Sequence, residues 1–130
     1  MKALQEKQNL IDLELSCCAI SDGIGDHIRD FFVVNQSLKS LELKFNNLNV
    51  DACNGIGKGI LNFKGFLKYL GLAGNPVMEA GFLAIGAGCK DTSQIQKLDV
   101  MSCNLGENGG FRVCKNIFSI ISNINSMNLY

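Results

Sequence analysis

The chain has 130 residues, 47% of them apolar and 18% charged, with 12 basic side chains set against 12 acidic ones. That length holds one domain of ordinary size, and that apolar content excludes a disordered segment. Balanced charge argues against a nucleic-acid or anionic-membrane partner recruited by a global field, and no stretch approaches the roughly 20 apolar residues of a bilayer span.

The polar opening from Met1 to Asn9 lacks the apolar core of a secretory signal. A cytoplasmic location is therefore expected. The six cysteines are Cys17, Cys18, Cys53, Cys89, Cys103 and Cys114, none in a C-x-x-C pair, and His27 is the single histidine. This set is expected to give reduced, structural thiols, with no metal site and no cofactor. Asn35-Gln36-Ser37 matches a glycosylation sequon, a three-residue pattern that arises by chance.

In chain order, one apolar spacing keeps returning. Residues 10–37 carry Leu10, Leu13, Leu15, Cys18 and Ile20, and residues 38–66 carry Leu38, Leu41, Leu43, Asn46 and Leu48. Residues 67–94 repeat it with Leu67, Leu70, Leu72, Asn75 and Val77, and residues 95–123 with Ile95, Leu98, Val100, Cys103 and Leu105. A fifth copy, 124–130, begins with Ile124, Met127 and Leu129. The period alternates between 28 and 29 residues. After each Asn or Cys the pattern changes to every fourth residue: Ile24-Ile28-Phe32, Ala52-Ile56-Ile60, Gly81-Ile85-Cys89 and Gly109-Val113-Ile117. Short alternation followed by a helical stripe predicts a strand, a turn and an amphipathic helix in every copy. Counting back one copy puts Leu4 in register with Phe32 and Ile60, so residues 1–9 are expected to be the tail of a helix. Neither strand nor helix can hide its apolar side alone, so successive βα coils must stack. The predicted fold class is α/β, a right-handed solenoid with a parallel sheet on the concave side and helices on the convex side.

This pattern resembles the leucine-rich repeats of the ribonuclease-inhibitor-like subfamily, with its 28- and 29-residue units, over about residues 10–130. The sequence departs from that subfamily in two places. The turn slot reads Cys18, Asn46, Asn75, Cys103 without strict alternation, and Ile24 and Ala52 stand where Gly81 and Gly109 supply an early helix glycine. The resemblance implies a non-enzymatic interaction module or scaffold. It also brings in an alternative, activation of a small GTPase as in the Ran activators, and a third, a cytoskeletal or axonemal scaffold. Terminal capping units are missing from the pattern, so the chain is expected to be a segment of a longer array, or to associate end to end through its open strands.

The repeat leucines and the Asn/Cys slot are scaffold positions. Function is expected on the strand residues that point the other way. Those are Asp12, Glu14 and Ser16, then Ser40, Glu42 and Lys44, then Tyr69, Gly71 and Ala73, then Lys97, Asp99 and Met101, and finally Ser126, Asn128 and Tyr130. Adjacent strands lie about 4.7–4.9 Å apart, which makes Glu14 and Glu42 like-charged neighbours that folding alone would not select. The candidate partner-binding set is Asp12, Glu14, Glu42, Lys44, Tyr69, Lys97, Asp99 and Met101, with Tyr69 and Met101 as apolar anchors and Phe45 at the strand end. It is expected to receive a protein partner with a basic segment. Five short strands project only roughly 300 Å² from that spacing, so the turn rims or helices are expected to contribute as well.

No catalytic constellation is present. Gly55-Ile56-Gly57-Lys58-Gly59 lacks phosphate-loop spacing and falls inside a predicted helix, where its glycines suit close helix packing. The two arginines, Arg29 and Arg112, fall on predicted helices away from the strand face. His27 is read as an exposed helical histidine.

Overall fold

The computed structural model describes residues 6–21, 23–90, 95–112, 115 and 126–128. Five three-residue strands, β1 (Asp12–Glu14), β2 (Ser40–Glu42), β3 (Tyr69–Gly71), β4 (Lys97–Asp99) and β5 (Ser126–Asn128), form one parallel sheet in chain order. Helices α1 (Ile24–Val34), α2 (Val50–Asn62) and α3 (Met78–Cys89) return the chain from each of the first three strands to the next. A fourth helical stretch opens at 109–112; Val113 and Ile117 of its expected stripe lie outside the described residues. Of the expected helical tail over 1–9, only 6–9 are described, and they form a turn. The sheet is open, and the fold is the α/β solenoid that the periodicity predicts.

The core follows from the register. Leu13, Leu41, Leu70, Leu98 and Met127 stand opposite one another across the five strands. Leu38, Leu41, Leu43, Leu70 and Leu72 are wholly buried, together with Ile28, Phe32, Ile56 and Ile85 from the helices. Burying a leucine or phenylalanine side chain contributes about 1.5–3 kcal/mol, and one rung alone could not shield it. Stacking does so on both sides.

Glycine sets how close the helices lie. A Cβ on Gly55 would fall inside the backbone of Gly25 in α1, and one on Gly57 would collide with the Ala84 carbonyl in α3. The Gly-Ile-Gly-Lys-Gly run is thus a two-sided packing surface within α2, with Ile56 filling the core between its glycines.

Strands β1 to β4 leave the sheet through turns that open on the same left-handed residue. Cys17, Phe45, Gly74 and Ser102 all take a left-handed conformation, with φ of 56°, 51°, 68° and 54°. Their amides extend the sheet: Cys17 N–H donates to Lys44 O at 3.0 Å, Phe45 to Ala73 O at 2.8 Å and Gly74 to Met101 O at 2.8 Å. The next residue, Asn46, Asn75 or Cys103, turns its side chain inward, whereas Cys18 in the first turn stays exposed. Asn75 Nδ2 donates to Leu43 O and Leu72 O at 2.9 and 2.7 Å, while its Oδ1 accepts from Asn46 and Leu48 N–H, each at 3.1 Å. Asn46 does the same one coil earlier, toward Leu15 O, Leu43 O, Cys18 N–H and Ile20 N–H. The backbone groups that a tight turn strands in the interior are thereby satisfied.

Cys17, Cys18, Cys53 and Cys103 are free, the last two buried; Cys89 is buried as well, and Cys114 lies outside the described residues. Burial pushes the Cys53 thiol up to about 12 and the Cys103 thiol up to about 11, so both stay protonated and act as small hydrophobes. Asn35, the sequon asparagine, is fully buried; its amide donates to Lys7 O at 2.9 Å and Leu10 O at 3.1 Å, and its Oδ1 accepts from Ser37 and Leu38 N–H. It is a structural strut, closed to a glycan. No helix among the described residues is long and apolar enough to cross a membrane.

Candidate functional site

Strand side chains alternate between the two faces of the sheet. With the central residue of each strand in the core, the flanking ones line the concave face in ranks: Asp12, Ser40, Tyr69, Lys97 and Ser126 in one, Glu14, Glu42, Gly71, Asp99 and Asn128 in the next. Tyr130 lies outside the described residues.

Four of the eight candidate residues come together. Lys44 Nζ stands 3.1 Å from Glu42 Oε2 and 2.8 Å from Asp99 Oδ2. The Tyr69 hydroxyl donates to the same Glu42 oxygen, and the Lys44 ammonium lies 5.8 Å from the Tyr69 ring centroid. The side chains are largely shielded, with 25% of Lys44, 14% of Glu42 and 13% of Asp99 exposed. Asp99, the Tyr69 hydroxyl and Glu42, in that order, hold the Lys44 ammonium charged well above the usual lysine range. Burial first, and Glu42 next, raise the Tyr69 phenol. The acidic rank therefore carries its own counter-ion.

Small residues make this bridge possible. Lys44 and Asp99 belong to coils separated by the whole of β3, and at the crossing that coil offers only Gly71 and Ala73, both buried. A Cβ on Gly71 would collide with the Glu42 carboxylate, which lies across it. The sequence reading placed Gly71 in the acidic rank without seeing this. A lysine two positions beyond one acid, a glycine in the next repeat and an acid in the one after was the available signal.

The other four candidates stand apart. Glu14 pairs in register with Glu42 but turns to its own strand end: Ser16, through its hydroxyl and its amide (N–H to Oε1 2.8 Å), holds the Glu14 carboxyl below the usual range. Asp12 and Lys97 are exposed, and Met101 is half-buried with its N–H on Asp99 Oδ1 at 3.3 Å. Phe45 projects at the turn rim, 59% exposed, over Gly74.

The remaining polar clusters lie on the convex helices. Arg29 pairs with Asp26 at 2.6 Å and Asp30 at 2.8 Å, and Arg112 with Glu79 at 3.0 Å. His27 is exposed on α1. No group of three or more His, Cys, Asp or Glu side chains among the described residues is arranged to hold a metal ion.

Comparison with known proteins agrees with this geometry. A family profile described as Leucine Rich repeat matches residues 6–26 and 34–57. The solved structure of the leiomodin-1 actin-binding site 2 superposes with a TM-score of 0.80 at 13% identity, covering 99% of this chain and 76% of that one. At that identity the likeness speaks for the fold. No curated protein matches by sequence. The in-register leucine ladder, the repeated turn and the profile match together make the fold that of a leucine-rich repeat solenoid.

Proposed function

We propose that the chain is a non-enzymatic protein-interaction module that receives a protein partner on its concave strand face, and that its coils are of the ribonuclease-inhibitor-like kind. The observation that carries the reading is the tied cluster of Glu42, Lys44, Tyr69 and Asp99. Aligning these side chains across three coils costs conformational entropy, and half-buried ion pairs return little of it as stability. What the cluster provides is a rigid polar platform, flanked by Asp12, Glu14, Lys97 and Met101, on which a partner docks without ordering loose side chains. Because Lys44 offsets one of the two inner carboxylates, the cluster keeps one net negative charge, and the other charges left for a partner are Asp12 and Glu14 on one flank and Lys97 on the other. The partner segment is therefore of mixed charge, basic toward β1. Free thiols support a cytoplasmic, reducing setting.

A second reading names the partner class. The superposable solved structure is that of an actin-binding site, which favours a cytoskeletal scaffold. The GTPase-activating alternative gains nothing from the arginines, since each is held in ion pairs on the helical side and none is free to reach a nucleotide.

Photo-crosslinking residues placed at Asp12, Lys97 or Ser40 are expected to capture the same protein from a cell extract, whereas Leu83 or Asn54 on the helices captures none of it. Capture from the helical positions alone would sink the concave-face reading. Co-sedimentation with actin filaments tests the second reading: pelleting that Asp12→Lys/Lys97→Glu abolishes supports it, and no pelleting at saturating filament concentration removes it.

A further inference from the structure

The balance of 12 basic and 12 acidic side chains conceals a local separation. The loops that lead from a helix end into the next strand, residues 35–39 and 63–68, contain Lys39, Lys64 and Lys68 and no acidic residue. All three lysines are exposed, and none forms a salt bridge among the described residues. Lys39 and Lys68 occupy the same rung of consecutive coils, since Lys68 N–H donates to Lys39 O at 2.8 Å. That places two like charges about 4.8 Å apart at the backbone, an arrangement folding disfavours. Neither serves a helix end: they lie five and six residues past the last residues of α1 and α2, beyond the final turn where a helix dipole acts.

Apolar side chains stand among these charges. Phe66, between Lys64 and Lys68, is 61% exposed, and Leu61, at the end of α2, is 48% exposed. An open hollow of about 400 Å³ runs between them, lined by Leu61, Asn62, Phe63, Lys64, Gly65 and Phe66. Its floor is rigid. Phe63 is buried against Phe32 with ring centroids 4.9 Å apart, and Lys64 N–H is fixed on Gln36 Oε1 at 2.8 Å.

We propose that this rim is a second docking site, distinct from the concave face, for an acidic segment of a protein partner that seats one apolar side chain beside Phe66 and Leu61. Charge complementarity selects the occupant: three cations with no salt bridge among the described residues accept carboxylates, and the hollow that Lys64 lines accepts a Leu- or Phe-sized group. A hollow of about 400 Å³ beside Phe66 and Leu61 gives a peptide side chain a seat that a flat bilayer surface does not fill. The absence of arginine from both loops argues against phosphate recognition by bidentate contacts.

Selection of random peptides of about twelve residues displayed on phage, with the folded chain immobilised, tests the proposal. The expected winners carry several Asp or Glu around a Leu or Phe. Binding of the winning peptide, followed by fluorescence anisotropy, is expected to weaken about tenfold or more in Lys39→Glu/Lys68→Glu and about fivefold in Phe66→Ser, and to be unchanged in Leu83→Ser on the far side of α3. Circular dichroism confirms that each variant is folded; Lys39→Gln/Lys68→Gln replaces the first if it is not. Failure to enrich any peptide, winners without acidic residues, or binding indifferent to these substitutions overturns the proposal. So does sedimentation with phosphatidylcholine–phosphatidylserine vesicles that depends on Lys39 and Lys68 when no acidic peptide binds, because the occupant is then a membrane. None of these substitutions replaces Asp12, Ser40 or Lys97, so the two docking readings are tested by different side chains.

Discussion

The turns that follow β2 and β3 and those that follow β1 and β4 open on the same left-handed residue but differ in the key slot, and the outer pair adds a second left-handed residue just after it, Ala19 (φ 52°) and Asn104 (φ 55°). Asn46 and Asn75 fill it in the inner pair, Cys18 and Cys103 in the outer pair. Each asparagine reaches into the coil before its own: Asn46 serves the amides of Cys18 and Ile20, and Asn75 those of Asn46 and Leu48. The cysteines offer a sulfur donor and little as an acceptor. Cys103 Sγ donates to Leu72 O at 3.2 Å, and exposed Cys18 reaches only its own Ser16 O at 3.4 Å. A slot residue therefore stabilises its predecessor, and Cys18 can be a poor slot residue because Asn46 already closes the turn in which Cys18 sits. The coil that loses by this rule is the one before Cys103. There, Val77 N–H turns to the Asn75 carbonyl at 2.8 Å and Met78 N–H to Cys103 O at 3.0 Å, a different solution to the same problem.

The largest break in that comparison is Asn75→Ala. It leaves the Asn46 and Leu48 amides without partners inside the protein, while Leu43 O and Leu72 O keep Asn46 Nδ2 and Cys103 Sγ as donors; the cost is about 1–3 kcal/mol for each orphaned group that water cannot reach. A loss of about 3 kcal/mol is expected in urea unfolding, with fast hydrogen exchange at Leu48 N–H. If exchange instead rises only at the turn after β3, the rule that a slot serves its predecessor is wrong. Asn46→Ala is expected to cost less, about 2 kcal/mol, because its turn is half-buried, and to expose the amides of Cys18 and Ile20.

Lys44→Met comes next. It removes the shared counter-ion of Glu42 and Asp99, leaving two shielded carboxylates facing each other across Gly71. The expected cost, about 1–2 kcal/mol, lies between those of exposed and buried pairs, and it should shrink when Asp99→Asn is added. Equal costs in the two backgrounds would mean that the two acids do not share the lysine.

Why the scaffold could be read from the sequence and the platform could not follows from the same residues. Leu41, Leu70 and Leu98 recur at a fixed period because every coil presents the identical problem of hiding a strand from water, so the solution repeats and is visible in one dimension. Gly55 and Gly57 were legible as packing residues for a similar reason: a phosphate loop needs a spacing that they lack. The Lys44 bridge repeats nowhere. It depends on three coils at once, a lysine, a gap at Gly71 and Ala73, and an acid, and each of these reads as an ordinary surface residue when taken alone. Asn35 was hidden differently. Its carbonyl partners belong to Lys7 and Leu10, a full coil back, and the corresponding end of α2 uses Phe63, so no repeat betrays it.

Cys103→Ala and Cys18→Ala test the outer slots. The first removes a buried sulfur and its contact with Leu72 O, at about 1 kcal/mol, and the second is expected to fall within about 0.5 kcal/mol of native stability. Thiol-reactive dye is expected to label Cys18 and Cys17 in the folded chain well before Cys103 or Cys53. Labelling of all four at one rate would mean that the outer coils open together.

The finest distinction between the two kinds of slot is one of pH, because only a thiol can titrate. Cys103 and Cys53 are held up to about 11 and about 12 by burial, whereas a thiol in the unfolded chain ionises near 8.5. A folded-state value raised above the unfolded one gives stability that is fully present below about 8.5 and lost as pH climbs toward the folded values, since the unfolded chain releases protons that the native state keeps. Between pH 7.5 and 8.5 the two thiols together should remove about 0.7 kcal/mol, from the proton linkage of two groups near 8.5. Urea midpoints for the native chain and for Cys53→Ala/Cys103→Ala measure this directly: the native midpoint should fall over that interval and that of the double variant should hold nearly constant. An equal fall in both would assign the alkaline sensitivity elsewhere and make the cysteine slot, like the asparagine slot, indifferent to pH.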